Sequence, residues 1–147
     1  MKGSIEDVVT KKLIVIRSGS SVKDAAEVMR ENRIHHLPVA DVMDDIVGII
    51  TTQDLKYISD LPDSPNMPVD FVMSSPVVFI TADTDLRTAI LMMLEKNVSC
   101  LLVADKNDDA VGMITTQDLM WLLAHNLQDD SLNIGKVANV QTVGEVV

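Results

Sequence analysis

The chain holds a single cysteine, Cys100, so it has no internal disulfide, and no cluster of its Cys and three His has zinc spacing. Aromatic residues make up only 3% of it, while nine residues are Met, which predicts an aliphatic, thioether-packed and adaptable core. Positive charge is scarce as well. Twelve Lys and Arg stand against 22 Asp and Glu, a formal charge of −10 with a pI near 4.5. That balance argues against a nucleic-acid surface, which needs clustered cations to displace counterions from phosphates. No apolar run approaches the roughly 18 residues of a membrane helix, and the opening MKGSIEDVV lacks the apolar centre of a signal peptide. The expectation is a cytoplasmic protein without nucleic-acid or membrane partners. No nucleophile stands beside a base, and neither a metal-ligand set nor a Walker-type phosphate loop is present. The chain is therefore expected to be no enzyme, with no catalytic residue and no metal site.

What is present is a repeat. GIITTQDL at residues 48–55 returns as GMITTQDL at residues 112–119, an offset of 64. The register runs without a gap from residues 4–55 against residues 68–119, with 19 of 52 positions identical. At 147 residues and 47% apolar composition the chain suffices for one ordinary domain, or for two halves that share a core. Each copy opens with a β-branched run, Leu13, Ile14, Val15 and Ile16 in the first and Val77, Val78, Phe79 and Ile80 in the second, which predicts a buried strand. N-cap types follow at Ser20/Ser21 and Thr84/Asp85. Behind them come helical stripes, Val22, Ala25, Ala26, Met29 and Leu86, Ala89, Ile90, Met93. Residues 37–40 and 46–50, like 101–104 and 110–114, read as paired strands of a hairpin. A second helix starts at each Thr-Thr-Gln-Asp-Leu.

The unit is thus β-α-β-β-α and the fold class α/β (α+β). Repeat 1 is placed at residues 4–60, repeat 2 at 68–124 and a tail at 125–147, with the Pro-rich residues 61–68 as connector. Copies of about 60 residues bury too little surface alone, so they are expected to pack sheet on sheet about a pseudo-twofold axis. The tail is assigned an edge strand, with the start of a further unit as the alternative, because residues 143–147 echo residues 5–9. Met29, Met92 and Met93 are assigned to the core, Trp121 to the core or a dimer contact, and Cys100 to a buried structural thiol. Asp41, Asp44, Asp45 and their copies Asp105, Asp108, Asp109 read as polar hairpin turns rather than a cation site.

The chemistry lies in Gly48-Ile-Ile-Thr51-Thr-Gln53-Asp54 and Gly112-Met-Ile-Thr115-Thr-Gln117-Asp118, each at a strand-to-helix junction. Free N–H groups and the positive dipole end of such a helix suit a phosphate, and a carboxylate one turn in suits a ribose diol. The same Thr-x-x-Asp is also a capping box, in which Thr and Asp satisfy each other's amides. Both readings stand on the sequence; duplication, Gln included, favours function.

With these motifs, the strand start His36-Leu37-Pro38-Val39 and the element order, the chain resembles a tandem pair of CBS domains over about residues 4–123. The resemblance implies two crosswise clefts that take an adenine nucleotide, AMP, ADP or ATP, or another adenosyl compound. One cleft would join Thr115, Gln117 and Asp118 to Thr10, Lys12, Ile14, Ile34, His35, His36 and Pro38. The second would join Thr51, Gln53 and Asp54 to Ser74, Pro76, Val78, Val98, Ser99 and Cys100. Lys12, His35 and His36 make the first cleft the expected nucleotide site. The second lacks such groups and has Leu102 where repeat 1 has Pro38, so it is expected to be empty or to take a less anionic adenosyl ligand. The resemblance further implies a homodimer and a regulatory role as an energy or metabolite sensor acting on an unidentified protein. The rival reading is a protein-interaction scaffold whose acidic surface binds a basic partner.

Overall fold

The computed structural model describes residues 5–127. Repeat 1 comprises α1 (Ile5–Val8), β1 (Ile16–Arg17), α2 (Val22–Asn32), β2 (His36–Ala40), β3 (Ile46–Thr51) and α3 (Thr52–Ile58). Repeat 2 comprises β4 (Phe79–Thr81), α4 (Leu86–Lys96), β5 (Cys100–Ala104), β6 (Ala110–Thr115) and α5 (Thr116–Asn126), opened by a 3-10 turn at Val69–Phe71 where repeat 1 has α1. Each repeat forms a three-stranded sheet, ordered β1-β2-β3 and β4-β5-β6, the first pair parallel and the hairpin antiparallel. The long helices start and stop as their sequences require. Ser21 and Asp85 accept the N3 amides of α2 and α4, and Arg33 and Asn97 end them in the left-handed conformation at φ 53° and 51°. In the hairpin turns Asp41 Oδ1 accepts the amides of Met43 and Asp45, and Asp105 Oδ1 those of Asn107 and Asp109.

The first strands are shorter and later than their apolar runs predict. In repeat 1 only Ile16 and Arg17 reach the register of Val39 and Ala40. The chain just before them serves the other repeat: Thr10 exchanges two backbone hydrogen bonds with Met113, at 2.9 and 3.0 Å. Ser74 does the same with Ile49, at 2.9 and 3.1 Å. The opening turns are therefore traded. Ile5 and Val9 pack into the core of repeat 2 with Ala89, Met93, Leu101 and Ile114. Val69 and Met73 pack into the core of repeat 1 with Ala25, Met29, Leu37 and Ile50. A third cluster, Ile49, Cys100, Leu102 and Met113, joins the two sheets at the seam. Neither repeat has a complete core of its own, which is why two such small units hold together.

This trade explains both glycines of the repeated motif. A Cβ on Gly48 would lie 2.3 Å from Met73 Sδ, and one on Gly112 would lie 2.4 Å from Val9 Cγ2 and 3.1 Å from the Thr10 carbonyl oxygen. The visiting turn of the other repeat, rather than a ligand, demands a residue without a side chain there. The connector is tied down too: Val22 donates to the Met67 carbonyl, Gly19 donates to Asp70 Oδ2 at 2.6 Å, and Ser18 Oγ donates to Asp70 Oδ1. The edge strand expected of residues 128–147 lies outside the described residues.

Candidate functional site

Both motifs close on themselves. Thr51 Oγ1 accepts the Asp54 amide at 3.1 Å, and Asp54 Oδ2 accepts the Thr51 amide at 2.8 Å. Thr115 and Asp118 repeat this at 3.2 and 2.8 Å. The capping box is thus formed twice. The amide of Thr52 donates to the His35 carbonyl at 3.1 Å, and that of Thr116 to the Ser99 carbonyl at 3.0 Å. Two of the three leading amides of each helix are satisfied inside its own repeat. The sequence-based picture of a row of free N–H groups facing a phosphate is corrected accordingly. Oδ1 of either Asp bonds no other described residue and stays available as an acceptor.

Capping does not turn Asp54 away from open space. Thr51, Gln53 and Asp54 of repeat 1 face Ser74, Pro76, Val78, Val98, Ser99 and Cys100 of repeat 2 around one hollow of about 440 Å³. All nine residues grouped there from the sequence line it. Ile49, Tyr57, Val77 and Asn97 complete the wall. Tyr57 was missed, although it sits three residues after Asp54 and so on the same helix face. Asp54 is the one carboxylate among these lining residues, and they include no Lys, Arg or His. Burial pushes the Cys100 thiol up to about 12, so it stays neutral.

The residues grouped around Asp118 meet more varied surroundings. Lys12, His35 and Gln117 are exposed, and Ile14 packs against the core of repeat 1. Ile34 and His35 line a groove of about 380 Å³ between α2 and α3. Pro38 is fully buried in β2, so its ring serves the sheet and offers a ligand no surface. Leu102, its counterpart, is equally buried at the seam, so the Pro-to-Leu difference does not separate the clefts. His36 departs most from expectation. Its Nε2 lies 2.8 Å from Ser99 Oγ, a residue that lines the Asp54 hollow, so it reaches across the seam to the other repeat. Burial, seconded by His35, holds its pKa below the ordinary 6.5, while Asp118 and Asp54 pull it up.

Exchanged β-α-β-β-α repeats with a ligand-sized hollow at their junction define a paired-repeat module. The chain matches the CBS domain twice, over residues 5–59 and 69–125, and belongs to that family. It is 35% identical over 116 residues to homoserine O-acetyltransferase of Methanosphaera stadtmanae, which covers 78% of this chain and 23% of that enzyme. The chain spans about a quarter of the length of such curated relatives. The solved CBS domain pair of protein MJ0100, in complex with 5′-methylthioadenosine and S-adenosyl-L-methionine, superposes with a TM-score of 0.76 at 25% identity, covering 85% of this chain and 98% of that one. An uncharacterized conserved protein from Pyrococcus horikoshii gives 0.73 at 26% identity, covering 89% and 98%. Among the described residues no helix is long and apolar enough to cross a membrane.

Proposed function

We propose that the chain is a non-catalytic regulatory module that takes an adenosyl compound between its CBS repeats and signals its presence to a partner protein. The hollow at Asp54 carries this reading. Its volume of about 440 Å³ falls within the range of small-molecule sites. Ile49, Val78 and Val98 offer apolar surface to a base, and Asp54 Oδ1 can accept from a ribose diol. With Asp54 as its one carboxylate and no cation in its wall, the hollow suits a 5′ substituent that is neutral or cationic. A buried phosphate without a partner is costly. The ligands of the MJ0100 pair support the same class. AMP, ADP or ATP fall to the Asp118 side, where Lys12 supplies positive charge and His35 and His36 supply ring nitrogens for hydrogen bonds. A ligand that touches both repeats biases their packing only through its different affinity for the two arrangements, and that difference is the signal. A homodimer and a cytoplasmic setting complete this reading.

Isothermal titration with 5′-methylthioadenosine, S-adenosylmethionine, AMP, ADP and ATP tests it. The thio compounds are expected to bind the parent and the Asp118→Ala variant and to fail with Asp54→Ala. Absence of heat with every adenosyl compound removes the proposal. The two closed capping boxes favour one second reading, the interaction scaffold. Under it, Asp54→Ala and Asp118→Ala each lower stability by about 1 kcal/mol and no small molecule responds.

A further inference from the structure

Each repeat has one seat for an opening turn, yet the sequence carries three segments of that type. The seat of repeat 1 lies beside Gly48 and holds residues 69–73, with Val69 fully buried, Met73 over the glycine and Ser74 bridged to Ile49. The seat of repeat 2 lies beside Gly112 and holds residues 5–9, with Ile5 fully buried, Val9 over the glycine and Thr10 bridged to Met113. Both segments are apolar at their first, fourth and fifth positions: Ile5, Val8, Val9 and Val69, Val72, Met73. The same spacing returns in Val143, Val146 and Val147, which lie outside the described residues.

Chain direction selects the seat that the third segment suits. Residues 69–73 follow repeat 1 and fold back onto it, led from the end of α3 by the ten residues 59–68. Residues 143–147 follow repeat 2, led from the end of α5 by the sixteen residues 127–142. The equivalent return ends beside Gly112, and α1, which now sits there, packs against α5 itself. Composition explains why residues 5–9 hold the seat in the structure. Ile5 fills the core with one methylene more than Val143, and Gly144 weakens a helical turn where Glu6 does not. Differences this small leave the two occupants close in free energy, so a modest bias reverses them.

We propose that the seat beside Gly112 has two alternative occupants, residues 5–9 and residues 143–147 of the same chain, and that their exchange is a switch built into repeat 2. With the tail seated, the Thr10–Met113 bridge is lost and residues 10–14 lose their anchor. Those residues bring Thr10, Lys12 and Ile14 to the Asp118 side, whereas Ser74, Pro76 and Val78 of the Asp54 hollow hang from the other seat. Exchange thus dismantles one ligand side and spares the other. This consequence rests on the functional reading, and the exchange itself is tested without any ligand.

In urea unfolding of the full chain, Ile5→Ser is expected to lower the midpoint by about 0.5 M alone and by about 1.5 M together with Val143→Ser and Val147→Ser. The two tail substitutions by themselves should shift it by less than about 0.2 M. Equal losses from Ile5→Ser with and without them overturn the proposal. Methyl NMR gives a readout independent of unfolding, with a nitroxide on Thr142→Cys in a Cys100→Ser background. Adding Ile5→Ser is expected to broaden the methyl signals of Met113 and Met93, beside the seat, more strongly than that of Met29 in the core of repeat 1. Absence of this broadening overturns the exchange. So does finding it on isotope-labelled chains without a nitroxide that are mixed with nitroxide-bearing ones, because the tail then visits a neighbouring molecule.

Discussion

The Asp54 and Asp118 sides of the molecule carry the same motif, the same closed cap and the same traded turn, yet their walls differ. Where the Asp54 side has Ser99 and Cys100, the Asp118 side has His35 and His36, and Pro76 is matched by Lys12. A neutral thiol and hydroxyl leave a hollow lined by apolar atoms, whereas two imidazoles and an ammonium introduce bulk and titratable charge. His36 does not stay on its own side but reaches Ser99 across the seam. Duplication therefore preserves the scaffold, and the strand-start residues are where the two sides differ. On the proposed function, binding lives on the departures from symmetry, and stability on what is shared.

The largest expected effect concerns the shared part. Gly112→Ala is predicted to cost about 3 kcal/mol and Gly48→Ala about 1 kcal/mol in denaturant unfolding, within the usual span for overpacking. Val9 is β-branched and the Thr10 backbone stands behind it, whereas Met73 is unbranched and can swing aside. Equal losses at the two sites would mean that the visiting turns are held equally, against this contrast.

Caps come next. Asp54→Ala and Asp118→Ala are each expected to lose about 1 kcal/mol of stability, because the hydrogen bonds of the two boxes agree in length to within 0.1 Å. The comparison sharpens in binding, where only Asp54→Ala should abolish the response to 5′-methylthioadenosine. Parallel loss in both variants would show that the sides are not chemically distinct.

Much of this was legible in the sequence, and the parts that were not share a cause. The repeat, the hairpins and the helix starts follow from local patterns: caps, period and turn chemistry lie within a few residues of one another. The nine residues around Asp54 could be grouped because a fixed offset carries one repeat onto the other. The trade of Ile5 and Val9 for Val69 and Met73 could not be read, since apolar residues in a four-residue turn carry no mark of which core they enter. The role of Gly48 and Gly112 was hidden for the same reason. His36 reads as a ligand residue from its position in the motif. Its bond to Ser99 depends on how closely the two sheets approach.

A smaller effect tests that cross-seam bond through pH. His36 has a folded pKa below its unfolded value, so as pH falls the unfolded chain takes up the proton first. Stability should therefore drop as pH is lowered from about 6.5, and be fully regained above it. The matching residue Cys100 does not titrate in this range. Thermal melts of His36→Gln from pH 5 to 7.5 should flatten that part of the profile, and an unchanged slope would remove His36 as its source.

The smallest effect concerns the hairpin turns, where the repeats differ by one exposed ion pair. Asp44 and Asp108 hold the same left-handed turn position, at φ 64° and 62°. Among the described residues only Asp44 meets a cation, Arg17 Nη1 at 2.6 Å, because Thr81 stands where repeat 2 would need an arginine. Asn tolerates this conformation as Asp does, so Asp44→Asn and Asp108→Asn share every backbone cost. In a Lys106→Val background, where neither turn carries a cation of its own, the difference between their unfolding free energies reports the pair. With both side chains more than half exposed, that difference should be a few tenths of a kcal/mol, about 0.3, and should vanish in 1 M salt. A difference above about 1 kcal/mol that persists in salt would mean that Arg17 anchors the turn through more than charge, for which its bond to the Asp41 carbonyl at 2.9 Å is the one visible route.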